Sequence, residues 1–164
     1  LGGTDTVAET ANTSFTLTDG SLVGLGIDTL ANIVAAILTG GSGNNTLDAS
    51  GFSGSVTLIG GNNNDLIDGQ SGNDTISGDN GNDTLLGGFG KDSILGGAGN
   101  DLVYGGDFLS GGDADKDTLK GQAGFDTLIG DSGFDSLETA SEVNLAFSFD
   151  TDDYNNLFAD LLGP

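Results

Sequence analysis

The sequence contains no Cys, His, Met or Trp, and its three basic residues are all lysines, Lys91, Lys116 and Lys120, so Arg is absent too. Without His or Cys the chain cannot build a Ser–His–Asp or Cys–His nucleophile, a zinc site of the usual ligands, a haem site or an iron–sulfur cluster. Without Cys there is no disulfide framework. Three cations against 25 acids give a formal net charge of −22. Such a surface repels nucleic acid phosphates and anionic lipid, so neither is an expected partner. Long apolar runs are missing as well. The most continuous, Ile33 to Leu38, falls far short of the roughly 18 residues of a membrane span. No charged-then-apolar leader opens the chain. It begins at Leu1 and lacks Met, and the expectation is a segment of a longer protein.

What is abundant is glycine, 31 of 164 residues. A Gly-rich acidic chain could be a disordered linker, and only the placement of its apolar residues decides. From Gly60 onward they fall into units of nine: Gly60–Asp68 (GGNNNDLID), Gly69–Ser77 (GQSGNDTIS), Gly78–Leu86 (GDNGNDTLL), Gly87–Leu95 (GGFGKDSIL) and Gly96–Tyr104 (GGAGNDLVY). A truncated unit, Gly105–Ser110, and a ten-residue unit, Gly111–Lys120, follow. Gly121–Ile129 (GQAGFDTLI) and Gly130–Glu138 (GDSGFDSLE) close the array. The sixth place, or in the two irregular units the equivalent place counted back from the unit's end, is always acidic: Asp65, Asp74, Asp83, Asp92, Asp101, Asp107, Asp117, Asp126 and Asp135. The eighth place, or its equivalent next to last in the unit, is always aliphatic: Ile67, Ile76, Leu85, Ile94, Val103, Leu109, Leu119, Leu128 and Leu137. An isolated earlier unit, Gly40–Asp48 (GGSGNNTLD), carries Asn45 in place of the acid. A disordered linker has no reason to hold that register.

The array resembles the RTX family of glycine-rich nonapeptide repeats, pattern G-G-x-G-x-D-x-U-x. The resemblance implies an all-β, right-handed parallel β-roll solenoid, Ca²⁺ as ligand, and a secreted bacterial parent, extracellular or at the cell surface. It further implies export through type I secretion machinery as an unfolded chain that folds outside. To each ion it assigns Asp side chains and turn carbonyls from two stacked turns. The positions carried over are the nine acids above and the turn glycines Gly72, Gly81, Gly90 and Gly99.

The residues support the same architecture physically. A triplet such as Thr75-Ile76-Ser77 sends one side chain inward and two outward. The six residues before it, Gly69 to Asp74, form a turn in which glycine tolerates positive φ and close backbone approach. Two units then make one coil turn, and successive turns rise by about 4.8 Å. Ile67, Leu85, Val103, Leu119 and Leu137 are expected to line one sheet, and Ile76, Ile94, Leu109 and Leu128 the other. The acids stack as Asp65–Asp83–Asp101–Asp117–Asp135 on one edge and Asp74–Asp92–Asp107–Asp126 on the other. Stacked carboxylates repel unless a cation lies among them, and an all-oxygen cage suits Ca²⁺, which accepts 6–8 oxygens, better than Mg²⁺. About four to seven ions are expected. One inward aliphatic per nine residues is a thin core, so calcium binding is expected to drive folding. No strong site is expected at Asn45, and the off-register acids Asp68, Asp79, Asp113, Asp115 and Asp131 are expected to be solvated.

Residues 1–59 are read as wider, irregular capping turns that include the degenerate repeat 40–48, residues 60–138 as the roll, and 139–164 as a C-terminal cap or tail. Thr13–Thr18 and Ser55–Ile59 alternate as strands do, and Ile33–Leu38 reads as a buried strand or short helix. Tyr154–Leu162 reads as a short capping helix. Functionally the expectation is a non-catalytic calcium-binding module beside the remaining domains of its parent. The alternative is a carbohydrate-binding or adhesion module. A carboxylate-pair glycosidase is set aside, because nothing marks a proton-donating acid and Tyr104 and Tyr154 are the only tyrosines. Leu66, Leu86, Leu102 and Tyr104 are expected to share one outward face, where a second copy or a neighbouring domain would dock.

Overall fold

A computed structural model describes residues 5–106, 115–131, 135–138 and 145–147. The one-in, two-out triplets become short strands, each followed by a glycine corner that carries the chain to the opposite sheet. In chain order the strands are β1 (Asp5–Thr10), β2 (Phe15–Thr18), β3 (Ser21–Val23), β4 (Ile27–Thr29), β5 (Ile33–Gly41), β6 (Thr46–Gly51), β7 (Ser55–Asn62) and β8 (Leu66–Ser71). They continue as β9 (Thr75–Asn80), β10 (Thr84–Phe89), β11 (Ser93–Ala98), β12 (Leu102–Tyr104), β13 (Thr118–Ala123), β14 (Thr127–Ile129), β15 (Ser136–Glu138) and β16 (Leu145–Phe147). One sheet has the order β1-β5-β7-β9-β11-β13-β15, the other β16-β14-β12-β10-β8-β6-β2-β3-β4. All pairings are parallel except β2–β3 and β3–β4. Alternation of consecutive strands between two parallel sheets is the all-β roll that the nine-residue period implies.

In the regular part the register advances by 18 residues per coil turn, Ile67 beside Leu85 and Ile76 beside Ile94. Ile67, Ile76, Leu85, Ile94, Val103, Leu119 and Leu128 are fully buried between the sheets. Toward the N-terminus the turns widen. Phe15 pairs with Leu47 and Ala36 with Val56, and the antiparallel pair β3–β4 is inserted at the sheet edge. Strands there bury two side chains each: Phe15 and Leu17, Ala36 and Leu38, Leu47 and Ala49, Val56 and Leu58. Ile33–Leu38 lies in strand β5, but not as a strand buried on both faces, since Val34 and Ile37 are exposed.

The expected stacking fails at one place. β13 pairs with β11 and β14 with β12, so Leu119 and Leu137 join Ile76 and Ile94, while Leu128 joins Val103. Tyr104, in β12, and Thr118, in β13, lie in different sheets, where the expected two units between them would have put them in the same one. The truncated unit offers only Gly105, Gly106 and Asp107 ahead of its strand triplet, too few to turn a corner that elsewhere uses six residues. Gly105 instead serves the unit of Asp117: a Cβ built on it would stand 2.7 Å from Asp117 Oδ2, the relation Gly69 has to Asp74 at 2.6 Å. Asp107 and Leu109 lie outside the described residues, as does the helix expected at Tyr154–Leu162.

Candidate metal centre

Each corner ends on the acid of its unit, which the following strand fixes in place. The acid's own carbonyl accepts the N–H that opens a strand one coil turn later, as Asp65 does from Thr84 and Asp83 from Leu102, both at 2.9 Å. The side chain points into the corner, and Asp65, Asp74, Asp83, Asp92, Asp101, Asp117 and Asp126 are all buried. Asp135 is half-buried.

The acids form two ladders, but not carboxylate upon carboxylate. Asp65 N–H donates to Asp83 Oδ1 at 2.8 Å, Asp83 N–H to Asp101 Oδ1 at 2.9 Å, and Asp101 N–H to Asp126 Oδ1 at 3.0 Å. On the other edge Val56 N–H donates to Asp74 Oδ1, Asp74 to Asp92, Asp92 to Asp117 and Asp117 to Asp135, at 2.8–3.0 Å. The expected pairs Asp101–Asp117, Asp92–Asp107 and Asp107–Asp126 are therefore replaced by Asp101–Asp126 and Asp92–Asp117, each 25 residues apart.

One oxygen of each acid is spent on the ladder. The other, Oδ2 of Asp65, Asp74, Asp83 and Asp101, is buried and accepts no hydrogen bond. Buried carboxylate oxygens almost always have a donor. Around Oδ2 there are oxygens instead: a Cβ on Gly69 would stand 2.6 Å from Asp74 Oδ2 and 2.9 Å from the Gly87 carbonyl oxygen, and one on Gly96 would meet Asp101 Oδ2 and the Gly121 carbonyl. Burial pushes Asp74 up to about 7 against the opposing hydrogen bond from Val56 N–H. Burial likewise raises Asp65 and Asp101 to about 6, and it raises Asp83. Neighbouring carboxylates add to the rise at Asp65 (Asp83 and Asp79) and at Asp101 (Asp83 and Asp126). Oxygen-rich cradles without donors fit a hard cation with oxygen preference, which is calcium's chemistry.

The turn glycines serve the backbone. Gly72, Gly81, Gly90 and Gly99 have φ of 121°, 142°, 116° and 140°, and a Cβ on Gly90 would collide with the Gly72 carbonyl of the turn before. Three features escaped the sequence reading. Asn45 is buried in the first ladder, with its N–H on Asp65 Oδ1 at 2.7 Å. A second, exposed ladder of fifth-position asparagines runs beside the acids: Asn64 N–H donates to Asn44 Oδ1, Asn82 to Asn64, Asn100 to Asn82, and Phe125 to Asn100. Repeated Asn before the acid was its visible signal. Asp131 is buried, not solvated, and its N–H donates to Asp135 Oδ2 at 2.8 Å. Its carboxylate gathers with those of Asp117 and Asp135, one oxygen from each within 4.8 Å of the others. Asp79, by contrast, is exposed as expected.

The family model of the RTX calcium-binding nonapeptide repeat matches the chain in four copies, over residues 37–51, 50–85, 77–108 and 111–141. No curated protein and no solved structure matches it.

Proposed function

Because the chain belongs to the RTX calcium-binding nonapeptide repeat family, we propose that it is a non-catalytic module that folds on binding calcium after export from a bacterial cell through type I secretion. The observation that carries the reading is the set of buried Oδ2 atoms without donors, on Asp65, Asp74, Asp83 and Asp101. Left ionised and bare, each would cost several kcal/mol of the order known for a buried unpaired charge. Calcium would supply the missing positive charge, and the ionised carboxylates and corner carbonyls would supply its oxygens. The residues proposed to hold it are Asp65, Asp74, Asp83, Asp92, Asp101, Asp117, Asp126 and Asp135, with Asp107 kept as a candidate, and turn carbonyls of which Gly72, Gly81, Gly90 and Gly99 are candidates. Four to seven ions, read from the repeat count, remain the proposed range.

The role is mechanical. A chain of net charge −22 with one inward aliphatic per unit resists collapse where calcium is scarce, as the secretion route requires, and closes where it is plentiful. The partners are then the remaining domains of the parent, which the rigid coil would space or present. Circular dichroism of the chain in EDTA and in millimolar calcium tests this. The expected result is a cooperative gain of strand signal with calcium; a spectrum unchanged between the two conditions overturns the coupling.

A further inference from the structure

The acid ladder does not stop at the first acid. Below Asp65 its next member is Asn45, only 5% exposed, against 4% for Asp65. The corner Gly40–Asn45 sits squarely on the corner of Asp65. Gly41 pairs with Gly61 and Leu47 with Ile67, Asn64 N–H reaches Asn44 Oδ1, and Leu66 N–H donates to the Asn45 carbonyl at 3.0 Å. The two extra residues of this wider turn lie beyond the corner, so they leave it congruent.

Asn45 uses its backbone N–H for the ladder, but its side-chain oxygen, Oδ1, is buried and has no hydrogen-bond donor. A structural asparagine this deep normally has its carbonyl satisfied. The surroundings are those of the acidic corners. A Cβ on Gly40 would stand 2.7 Å from Asn45 Oδ1 and 2.7 Å from the Gly60 carbonyl oxygen, as one on Gly69 would stand between Asp74 Oδ2 and the Gly87 carbonyl. Asp65 Oδ2, also buried without a donor, belongs to the coil turn above.

From this we infer a further calcium site at the N-terminal end of the first ladder, held by the amide oxygen of Asn45, the carboxylate of Asp65 and carbonyls of the Gly40 and Gly60 corners. The inference rests on the calcium reading given above. Amide oxygens are ordinary calcium ligands, and affinity is tuned by the number of charged ones. A site with one carboxylate where its neighbours draw on two fills last and empties first. It extends the run of calcium sites one turn into the wider N-terminal turns and makes that site, rather than the fold around it, the one most sensitive to ambient calcium.

The test counts ions on the full chain by native mass spectrometry and follows filling by calorimetry, for the unaltered chain, Asn45→Leu and Asn45→Asp. Leu fills the buried space and keeps the backbone N–H on Asp65. The expected result is one ion fewer for Asn45→Leu, with the weakest step lost, and an unchanged count for Asn45→Asp with the weakest step moved to lower calcium. An equal count for Asn45→Leu and the unaltered chain overturns the site and leaves Asn45 a structural residue. If Asn45→Leu fails to fold, Asn45→Asp decides, and a weakest step left where it was overturns the site. An unaltered chain that binds no calcium overturns the underlying calcium reading instead.

Discussion

The backbone N–H of Asp65 donates to Oδ1 of Asp83, 18 residues further along the chain, at 2.8 Å. That single bond divides the labour of the carboxylate. Oδ1 belongs to the coil and holds two turns in register, while Oδ2 stays buried without a donor. Like charges thus stack at the spacing of a parallel sheet with an amide proton between them, and the charge left over on each is what a cation would balance.

Replacing Asp83 separates the two tasks. Asp83→Asn keeps an oxygen for Asp65 N–H but removes the charge. Asp83→Ala removes both and leaves a buried N–H unsatisfied, at a cost of about 1–3 kcal/mol. The expected outcome is loss of calcium from the turns on both sides in either variant, since Asp83 is bonded to Asp65 on one side and Asp101 on the other. Thermal melts in saturating calcium would show Asp83→Ala less stable than Asp83→Asn by that margin. Calorimetry in which Asp83→Ala loses at most one ion contradicts sharing of one carboxylate between turns.

The burial pattern predicts where structure survives without calcium. Phe15, Leu17, Ala36, Leu38, Leu47, Ala49, Phe52, Val56 and Leu58 are buried, whereas the buried acids begin at Asp65. The N-terminal turns thus have twice the apolar side chains per strand and no ladder acid. Hydrogen exchange of the full chain in EDTA is expected to leave β5, β6 and β7 protected and β8 to β14 open, with calcium extending protection across the latter. Uniform exchange along the chain in EDTA would show that the thicker core is still too small to stand alone.

Much of this was legible because a nine-residue period states both the inward aliphatic and the corner acid: Ile76 and Asp74 are where the pattern puts them. What the pattern could not state was the sheet to which Leu119, Leu128 and Leu137 belong. That depends on whether Gly105–Lys120 makes one crossing or two, and a repeat count treats a short unit as a unit. The corner's physical need for six residues was the missing constraint. Asn45 differs from the ladder acids in charge alone. Burial and hydrogen bonding follow from the corner's shape, which Gly40–Asn45 shares. The repeat position of Asp131 does not state its burial, which comes with its N–H donating to Asp135 Oδ2 and its carboxylate packing against Gly106.

The raised acids give a pH dependence with opposite signs in the two states. In the unfolded chain Asp titrates near 3.9, roughly, while in the coil Asp65 and Asp101 lie at about 6 and Asp74 at about 7. Without calcium the folded coil therefore binds more protons than the unfolded chain between those values. Its stability is full below the unfolded value and is lost as pH rises through 6 to 7. Calcium needs the ionised forms, so its affinity rises over the same interval. Dichroism in EDTA is expected to show strand signal gained on acidification from about pH 8 to about pH 5, and calorimetry to show calcium binding weakened by the same change. Calcium affinity independent of pH would mean that these carboxylates are not its ligands.

The last prediction concerns the outward face of the nine-stranded sheet. Leu86 lies beside Tyr104 and Tyr104 beside Ile129 in one row, with Leu66 and Leu102 in the row next to it. Leu66 is exposed and the others are half-buried by their neighbours. On the opposite sheet the equivalent row runs Ile59, Ser77, Leu95, Lys120, Glu138, so its apolar members are separated, and Lys120 and Glu138 form an ion pair. Apolar side chains gathered in adjacent rows are what a docking surface looks like, although single exposed aliphatics are ordinary on proteins. A second copy is opposed by the net charge of −22, and bound calcium lowers that repulsion, so self-association is expected in calcium and not in EDTA. Leu86→Lys combined with Tyr104→Lys places cations in the middle of the face without touching the inward side chains. Sedimentation in calcium is expected to show the association abolished, while dichroism shows the calcium-induced fold intact. An unaltered chain that stays monomeric in calcium at high concentration removes self-association and leaves this face to another domain of the parent.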